Sequence, residues 1–267
     1  MTAYYELIDT SMASDDTLIS QYRPTLHAQG AWNEHEQHMG PASGIIAYEL
    51  ERYHPREQMR YARLSFDIFG LIHLEDFTVE TRTIRPGRTI ELVESVLHSR
   101  GQKQIVARAW RMLTQDSSEI YGLEDAPVSD PEKLPQWQGL RNYWSGGYIN
   151  SLSARIAPDH RPGKGMAWLT HDLHMVKGQP SNDFPHLIGM VDTANGIAPR
   201  QKEKQAWAFP NIDLQIHMYR APRSKWLGVE VTQQYSSDGI GLTSSILHDI
   251  HGPFGRSEQI LTLRPME

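Results

Sequence analysis

Asp192 is the residue of this 267-residue chain whose surroundings most need a chemical explanation. It lies in FPHLIGMVDTANGIAP, residues 184–199, a stretch that reads as one helix. Phe184, Leu187, Ile188, Val191 and Ala194 recur at the three-and-four spacing of a core-facing stripe. Asp192 is one turn on from Ile188 and Gly189, so it borders that stripe rather than the polar side. A carboxylate against apolar surface is costly unless it is hydrogen-bonded. Such a group could do acid–base chemistry. The plainer reading is a boundary Asp that reaches water or a strand partner.

Other chemistry is weakly signalled. NEHEQH at 33–38, THDLH at 170–174 and LHDIH at 247–251 each pair histidines with acids, but none matches a helical metalloprotease motif or holds the full ligand set of a closed zinc site. There is no Walker loop, no dinucleotide fingerprint and no Gly-x-Ser-x-Gly elbow. With no cysteine, disulfides and thiolate catalysis are excluded. The net charge of −6 argues against broad nucleic-acid binding. No apolar run approaches membrane-spanning length, and the polar, acidic N-terminus is not a signal peptide. A soluble, cytoplasmic protein is therefore expected. An apolar fraction of 39% supports a core, and 22% charged residues is near the globular average.

The elements that must position Asp192 come in a repeated pattern. GPASGIIAYELERY, residues 40–53, reads as a helix with Pro41 in its first turn and a stripe of Ala42, Ile46, Leu50 and Tyr53. After it, ARLSFDIFGLI, DFTVETRTI, TIELVESVLHS and QIVARAWRML are rich in β-branched and aromatic residues and are joined by turn signals at 85–88 and 99–102. DAPVSDPEKLPQWQGL, residues 125–140, has three prolines and no period, as a linker would. The helix around Asp192 is then followed by AFPNIDLQIHMYR, WLGVEVTQQY, IGLTSSILHD and RSEQILTLR. In an overlay of the halves, Arg85-Pro86 matches Arg220-Ala221-Pro222, and Gly101 matches Gly239. A helix and strand meander occurring twice predicts an internal duplication with α+β architecture. The expected boundaries are 1–124 for the first unit, 125–155 for the linker and 156–267 for the second unit, which carries the site.

Two tandem units, each an antiparallel sheet wrapping one long helix, resemble the double-hotdog fold, with the two sheets side by side. With the local motifs added, the chain resembles acyl-CoA thioesterases of the bacterial thioesterase II type and their thioesterase-like relatives, from about residue 20 to 265. That family places a catalytic Asp on the second-half helix, which Asp192 in MVDTANG matches. It places a Thr before an Ile-Asp pair at the start of a strand ending in Arg-Pro; here, in NIDLQIHMYRAP, the Thr slot holds Asn211. It places a Gln on the last strand near a terminal Arg, and RSEQILTLR supplies Gln259. Asn for Thr is a departure, although Asn retains an acceptor and adds donors. In the first helix the matching slot holds Ala47 or a neighbour, so the resemblance assigns the first half to shaping the acyl pocket.

What the resemblance implies is hydrolysis of an acyl-CoA thioester to free acid and CoA, within fatty acid metabolism. Asp192 would accept a proton from water, with Asn211 and Gln259 fixing that water and the carboxylate. Burial against Ile188 would raise the Asp192 pKa, and the leaving thiol, with a pKa of about 8.5, needs no dedicated acid. The oxyanion would meet backbone N–H groups at a helix N-terminus, His38 to Gly40 being one region. Arg200, Lys202, Lys204, Arg161 and Lys164 are cations that could meet CoA phosphates. No metal or organic cofactor is implied. Acyl carrier protein is an alternative carrier to CoA, and hotdog sheets often associate into homo-oligomers. Two readings compete. SNDFPHLI faintly resembles the hydratase motif of hotdog enoyl-CoA hydratases, with His186 in a role, although Asp183 more simply caps the helix. A non-catalytic acyl-CoA binding module is the other.

Overall fold

The computed structural model describes residues 2–201 and 206–266. The first half runs β1 (Ala3–Met12), β2 (Leu18–Pro24), α1 (Met39–Arg52), β3 (Met59–Ile68), β4 (Phe77–Arg85), β5 (Ile90–Ser99) and β6 (Gln102–Leu113). A connecting stretch carries α2 (Gly139–Tyr143) and α3 (Gly147–Ser151). The second half runs β7 (Ser153–Ile156), β8 (Lys164–Thr170), β9 (His174–Val176), α4 (Asp183–Val191), β10 (Trp207–Ala208), β11 (Asp213–Met218), β12 (Leu227–Tyr235), β13 (Ile240–Asp249), β14 (Gly252–Thr262) and β15 (Arg264–Pro265). Among the described residues, no helix is long and apolar enough to cross a membrane.

The two sheets meet edge to edge. β11 pairs antiparallel with β3, Leu214 opposite Phe66 and Ile216 opposite Leu64. This joins the halves into one 13-stranded sheet in the order β7-β8-β12-β13-β14-β11-β3-β6-β5-β4-β2-β1-β9. Each inner edge is thereby covered by the other half. β9 crosses over from the second half and pairs parallel with β1. The strands before each helix were not anticipated. β1 is buried only over its first residues and exposed over its last five, so it shows no alternation along its length.

Adding 150 to the numbers of β4, β5 and β6 gives those of β12, β13 and β14, to within one residue at the final end. The halves therefore repeat, but in a register the turn signals do not reveal. Gly101 (φ +70°) lies between β5 and β6, whereas Gly239 (φ +91°) lies between β12 and β13, the counterparts of β4 and β5. The overlay of Arg85-Pro86 on Arg220-Ala221-Pro222 is likewise one strand out. Hairpin turns demand the same residue types wherever they fall, so they fix the existence of a turn and not its rank.

The two helices lie on one face of the sheet and cross at glycines. A Cβ on Gly44 would fall 3.0 Å from Gly189 Cα and 2.3 Å from Met175 Cε. Side chains at either position would push the helices apart. Ser43 Oγ donates across the contact to Ile188 O at 3.1 Å. This close approach explains why α1 is buried along Met39–Leu50, every residue included. α4 is shorter, nine residues against fourteen.

Candidate active site

The helix carrying Asp192 does not run through to Pro199. α4 ends at Val191 and continues as a 3-10 turn, Asp192–Gly196. Thr, Asn and Gly are poor helix formers, and the carbonyls released here find side-chain donors instead. Tyr148, on α3, donates its hydroxyl to Gly189 O at 2.9 Å. Trp144 Nε1 donates to Gly196 O at 3.1 Å. At the other end the capping position is Asn182, with Asp183 the first helical residue rather than the cap.

Asp192 is 6% exposed. Its Oδ1 accepts from Asn211 Nδ2 and from Gln259 Nε2, each at 2.9 Å. An ionised carboxylate only accepts, which fixes both amides with their N–H groups toward it. Asn211 gives its other N–H to Asp213 O at 3.0 Å. Gln259 is fully buried, and its Oε1 has no hydrogen-bond partner among the described residues. Asn211 enters from the loop before β11 and Gln259 from the middle of β14, so the three residues carried by the family pattern meet at one oxygen. Burial pushes the Asp192 carboxyl up from 3.8 to about 6, against the downward pull of the Asn211 and Gln259 hydrogen bonds.

The second oxygen, Oδ2, lies 3.3 Å from His38 Nδ1. His38 caps α1, its Nδ1 accepting the Gly40 N–H at 3.0 Å. Its ring packs on Tyr148 with centroids 4.3 Å apart. Burial pushes the imidazole down to about 3, so it is neutral at physiological pH. The region His38–Gly40 thus does face the site, but the Gly40 amide is occupied by the histidine.

Two cavities meet at Asp192, Asn211 and His38. The outer, about 820 Å3, is lined by both halves: Gln37 to Met39 and Ile68 to Ile72 from the first, Asn211, Ile212 and Arg264 from the second. Its size lies within the range of small-molecule sites. The inner, about 40 Å3, is walled by Trp32, Trp144 and Phe209, aromatic rings whose centroids are 4.9–5.5 Å apart. Sequence reasoning missed this aromatic wall. Its members come from three distant stretches, and no local period links them.

Two family matches bear on what this arrangement is. Residues 28–112 match the acyl-CoA thioesterase N-terminal domain, and residues 123–263 match the acyl-CoA thioesterase C-terminal domain. The chain belongs to the acyl-CoA thioesterase family. Solved structures give the fold, which is a double hotdog. A hot dog fold protein from Alicyclobacillus acidocaldarius superposes with a TM-score of 0.74 at 13% identity, covering 97% of each chain. An acyl-CoA thioesterase II from Mycobacterium marinum gives 0.67 at 15% identity, covering 97% of this chain and 96% of that one. The dehydratase domain of PpsC from Mycobacterium tuberculosis, solved with C12:1-CoA, gives 0.58 at 13%, covering 98% and 100%. At such identities the likeness carries the fold alone. No curated protein sequence matches this one.

The remaining expected residues lie elsewhere. His186 is buried beside His171, ring centroids 4.1 Å apart, and its Nε2 bonds Lys225 O at 3.0 Å. It lines neither cavity at Asp192, so the residue a hydratase reading needs is in the core. Arg200 donates to Gln233 O at 3.2 Å, and Arg161 and Lys164 pair across a turn; none of the three lines the outer cavity. Lys202 and Lys204 fall outside the described residues. The cation at the cavity is Arg264.

Proposed function

We propose that the protein hydrolyses an acyl-CoA thioester with Asp192 as general base. The observation that carries this reading is a buried carboxylate that lines both cavities, its Oδ1 held by two amide N–H groups and its Oδ2 free of them, 3.3 Å from His38 Nδ1. Oδ2 takes a proton from a water, and the water oxygen bonds to the thioester carbonyl carbon. The tetrahedral intermediate collapses, the C–S bond breaks, and a thiolate leaves whose conjugate acid has a pKa of about 8.5. Asn211 and Gln259 keep the carboxylate in register for that water. A base with a pKa of about 6 is ionised at neutral pH and a far stronger base than an ordinary Asp.

The carrier arm occupies the outer cavity, with Arg264 suited to a phosphate, and the acyl group points into the aromatic slot. A cavity of about 150 Å3 holds benzene, so a slot of about 40 Å3 favours short acyl groups. The test is thiol release from acyl-CoAs of graded chain length, with wild type and Asp192→Asn. Release that falls as the chain lengthens, and that collapses in the variant, is expected. No release at any length, with CoA or acyl carrier protein as carrier, removes the hydrolase. Release that survives Asp192→Asn removes the base.

A further inference from the structure

We infer that His38 donates its Nε2 hydrogen to the thioester carbonyl oxygen and supplies the side-chain part of the oxyanion site; the identity of that oxygen rests on the thioesterase reading above. The tautomer is fixed from outside the ring. Nδ1 accepts the Gly40 amide hydrogen at 3.0 Å, whereas Asp192 Oδ2, 3.3 Å from the same nitrogen, makes no hydrogen bond with it, so a neutral imidazole carries its own hydrogen on Nε2. The ring plane is fixed as well. Tyr148 packs against one face at 4.3 Å, and its hydroxyl is itself held by Gly189 O and by Thr193 Oγ1 at 2.7 Å.

Nε2 then stands out among the polar atoms of the site. It has no hydrogen-bond partner among the described residues, yet it is not one of the sealed, unpartnered atoms, while His38 lines both cavities. It is an open donor beside the carboxylate that would direct the water. Backbone donors are scarce here. In the first turn of α1, Gly40 N–H is taken by His38, residue 41 is proline, and Ala42 N–H bonds His38 O at 3.4 Å. That leaves the Met39 amide as a backbone donor beside the imidazole. A neutral histidine is the better electrophile for this task, because donating from it costs no buried cation. Triosephosphate isomerase keeps a neutral histidine at a helix N-terminus for the same work.

The experiment reads the carbonyl directly. Asp192→Asn retains an oxygen for Asn211 and Gln259 and blocks turnover. Acetyl-CoA or butyryl-CoA labelled with 13C at the carbonyl is bound to this protein, and the isotope-edited infrared stretch is recorded. A shift to lower wavenumber on binding is expected. Adding His38→Ala to Asp192→Asn should abolish most of that shift, and adding His38→Gln, which restores an N–H donor, should recover part of it. In the protein with Asp192 intact, His38→Ala should lower kcat by about 10²–10³-fold, with KM little changed. A bound carbonyl whose stretch is the same with and without His38 overturns the inference while leaving the hydrolase standing. Failure of the labelled thioester to bind, together with no thiol release by wild type, overturns the hydrolase reading and this inference with it.

Discussion

Where α4 ends the protein buries a carboxylate; at the matching point of α1 it buries a methyl group. The crossing at Gly44 and Gly189 sets Ala47 opposite the Asp192 position, and the 150-residue strand repeat sets Tyr61 at the Asn211 position and Ala109 at that of Gln259. Ala47 and Ala109 are both fully buried. Tyr61 fills its slot, stacking on Phe184 with rings 13° apart and centroids at 5.8 Å, and donating its hydroxyl to Leu50 O at 2.7 Å. The cavity there, about 440 Å3, has three acids, but Glu51 is half-buried and Glu57 and Asp183 are exposed. One scaffold therefore carries two solutions. The first half spends the space on packing and on closing the end of a helix. The second keeps a destabilising acid in place with two amides.

The contrast breaks most sharply at Asp192. Asp192→Asn should lower hydrolysis by about 10²–10⁴-fold and yet stabilise the fold. A carboxyl raised from 3.8 to about 6 holds its proton in the native state to higher pH than in the unfolded chain. Between those values the native state binds more protons, so stability falls as pH rises through that window and is lower above it. Two pKa units correspond to about 3 kcal/mol. Urea unfolding of wild type should therefore show stability dropping from pH 4 to pH 6, a drop the variant lacks. Over the same range log kcat/KM of wild type should climb and then level above about pH 6. A variant less stable than wild type at pH 7 would mean that the carboxylate is a structural anchor.

Placing the acid in the other half should show what the amides are for. Ala47→Asp puts a carboxyl at a fully buried site where the positions matching Asn211 and Gln259 are Tyr61 and Ala109, neither of which carries an amide side chain. An unsatisfied buried polar group costs about 1–3 kcal/mol and a charged one more, so a loss of at least about 3 kcal/mol in urea unfolding is expected, with no second activity. Unchanged stability would show that the first half can satisfy an acid after all.

Much of this contrast is legible in the sequence. The stripe of the second helix and the bordering Asp192 follow from spacing, and the sequence shows Ala47 in the matching slot, with Glu49 and then Glu51 the acids nearest it. Asn211 and Gln259 were not legible from spacing. They reach Asp192 from 19 and 67 residues away, and the family pattern was needed to select them. The sequence offers residues 38–40 as backbone donors only, because nothing local says that an imidazole will turn back onto its own helix. The cations were misplaced for a related reason. Arg200 looks free in sequence but bonds Gln233 O, whereas Arg264 reaches the cavity through the pairing of β15 with β10.

Gln259 should separate function from stability by a smaller margin. Gln259→Leu removes one of the two N–H groups on Oδ1 and also deletes a buried acceptor without a partner among the described residues. Loss of carboxylate register is worth about 10²-fold in rate, and stability should hold within about 1 kcal/mol, because the lost bond and the removed orphan oppose each other. The downward pull of Gln259 on the Asp192 pKa is lost too, so the pH profile should move to higher pH. An unshifted profile with full activity would mean that Asn211 alone holds the base.

The smallest effect is expected at Tyr61, and it should have the opposite character. Leu50 O is one of the last carbonyls of α1, which have no partner within the helix, and the Tyr61 hydroxyl supplies that partner. Tyr61→Phe keeps the ring on Phe184 and deletes the hydroxyl alone. The cost should be about 1 kcal/mol of stability, with kcat/KM unchanged, since Tyr61 lines neither cavity at Asp192. At the matching position, Asn211→Ala should lower kcat as well as stability at pH 7, because the buried carboxylate loses one of its two N–H donors. Urea unfolding and thiol release on the two variants side by side decide the point. If both lose stability equally and neither loses rate, the two halves differ in packing alone.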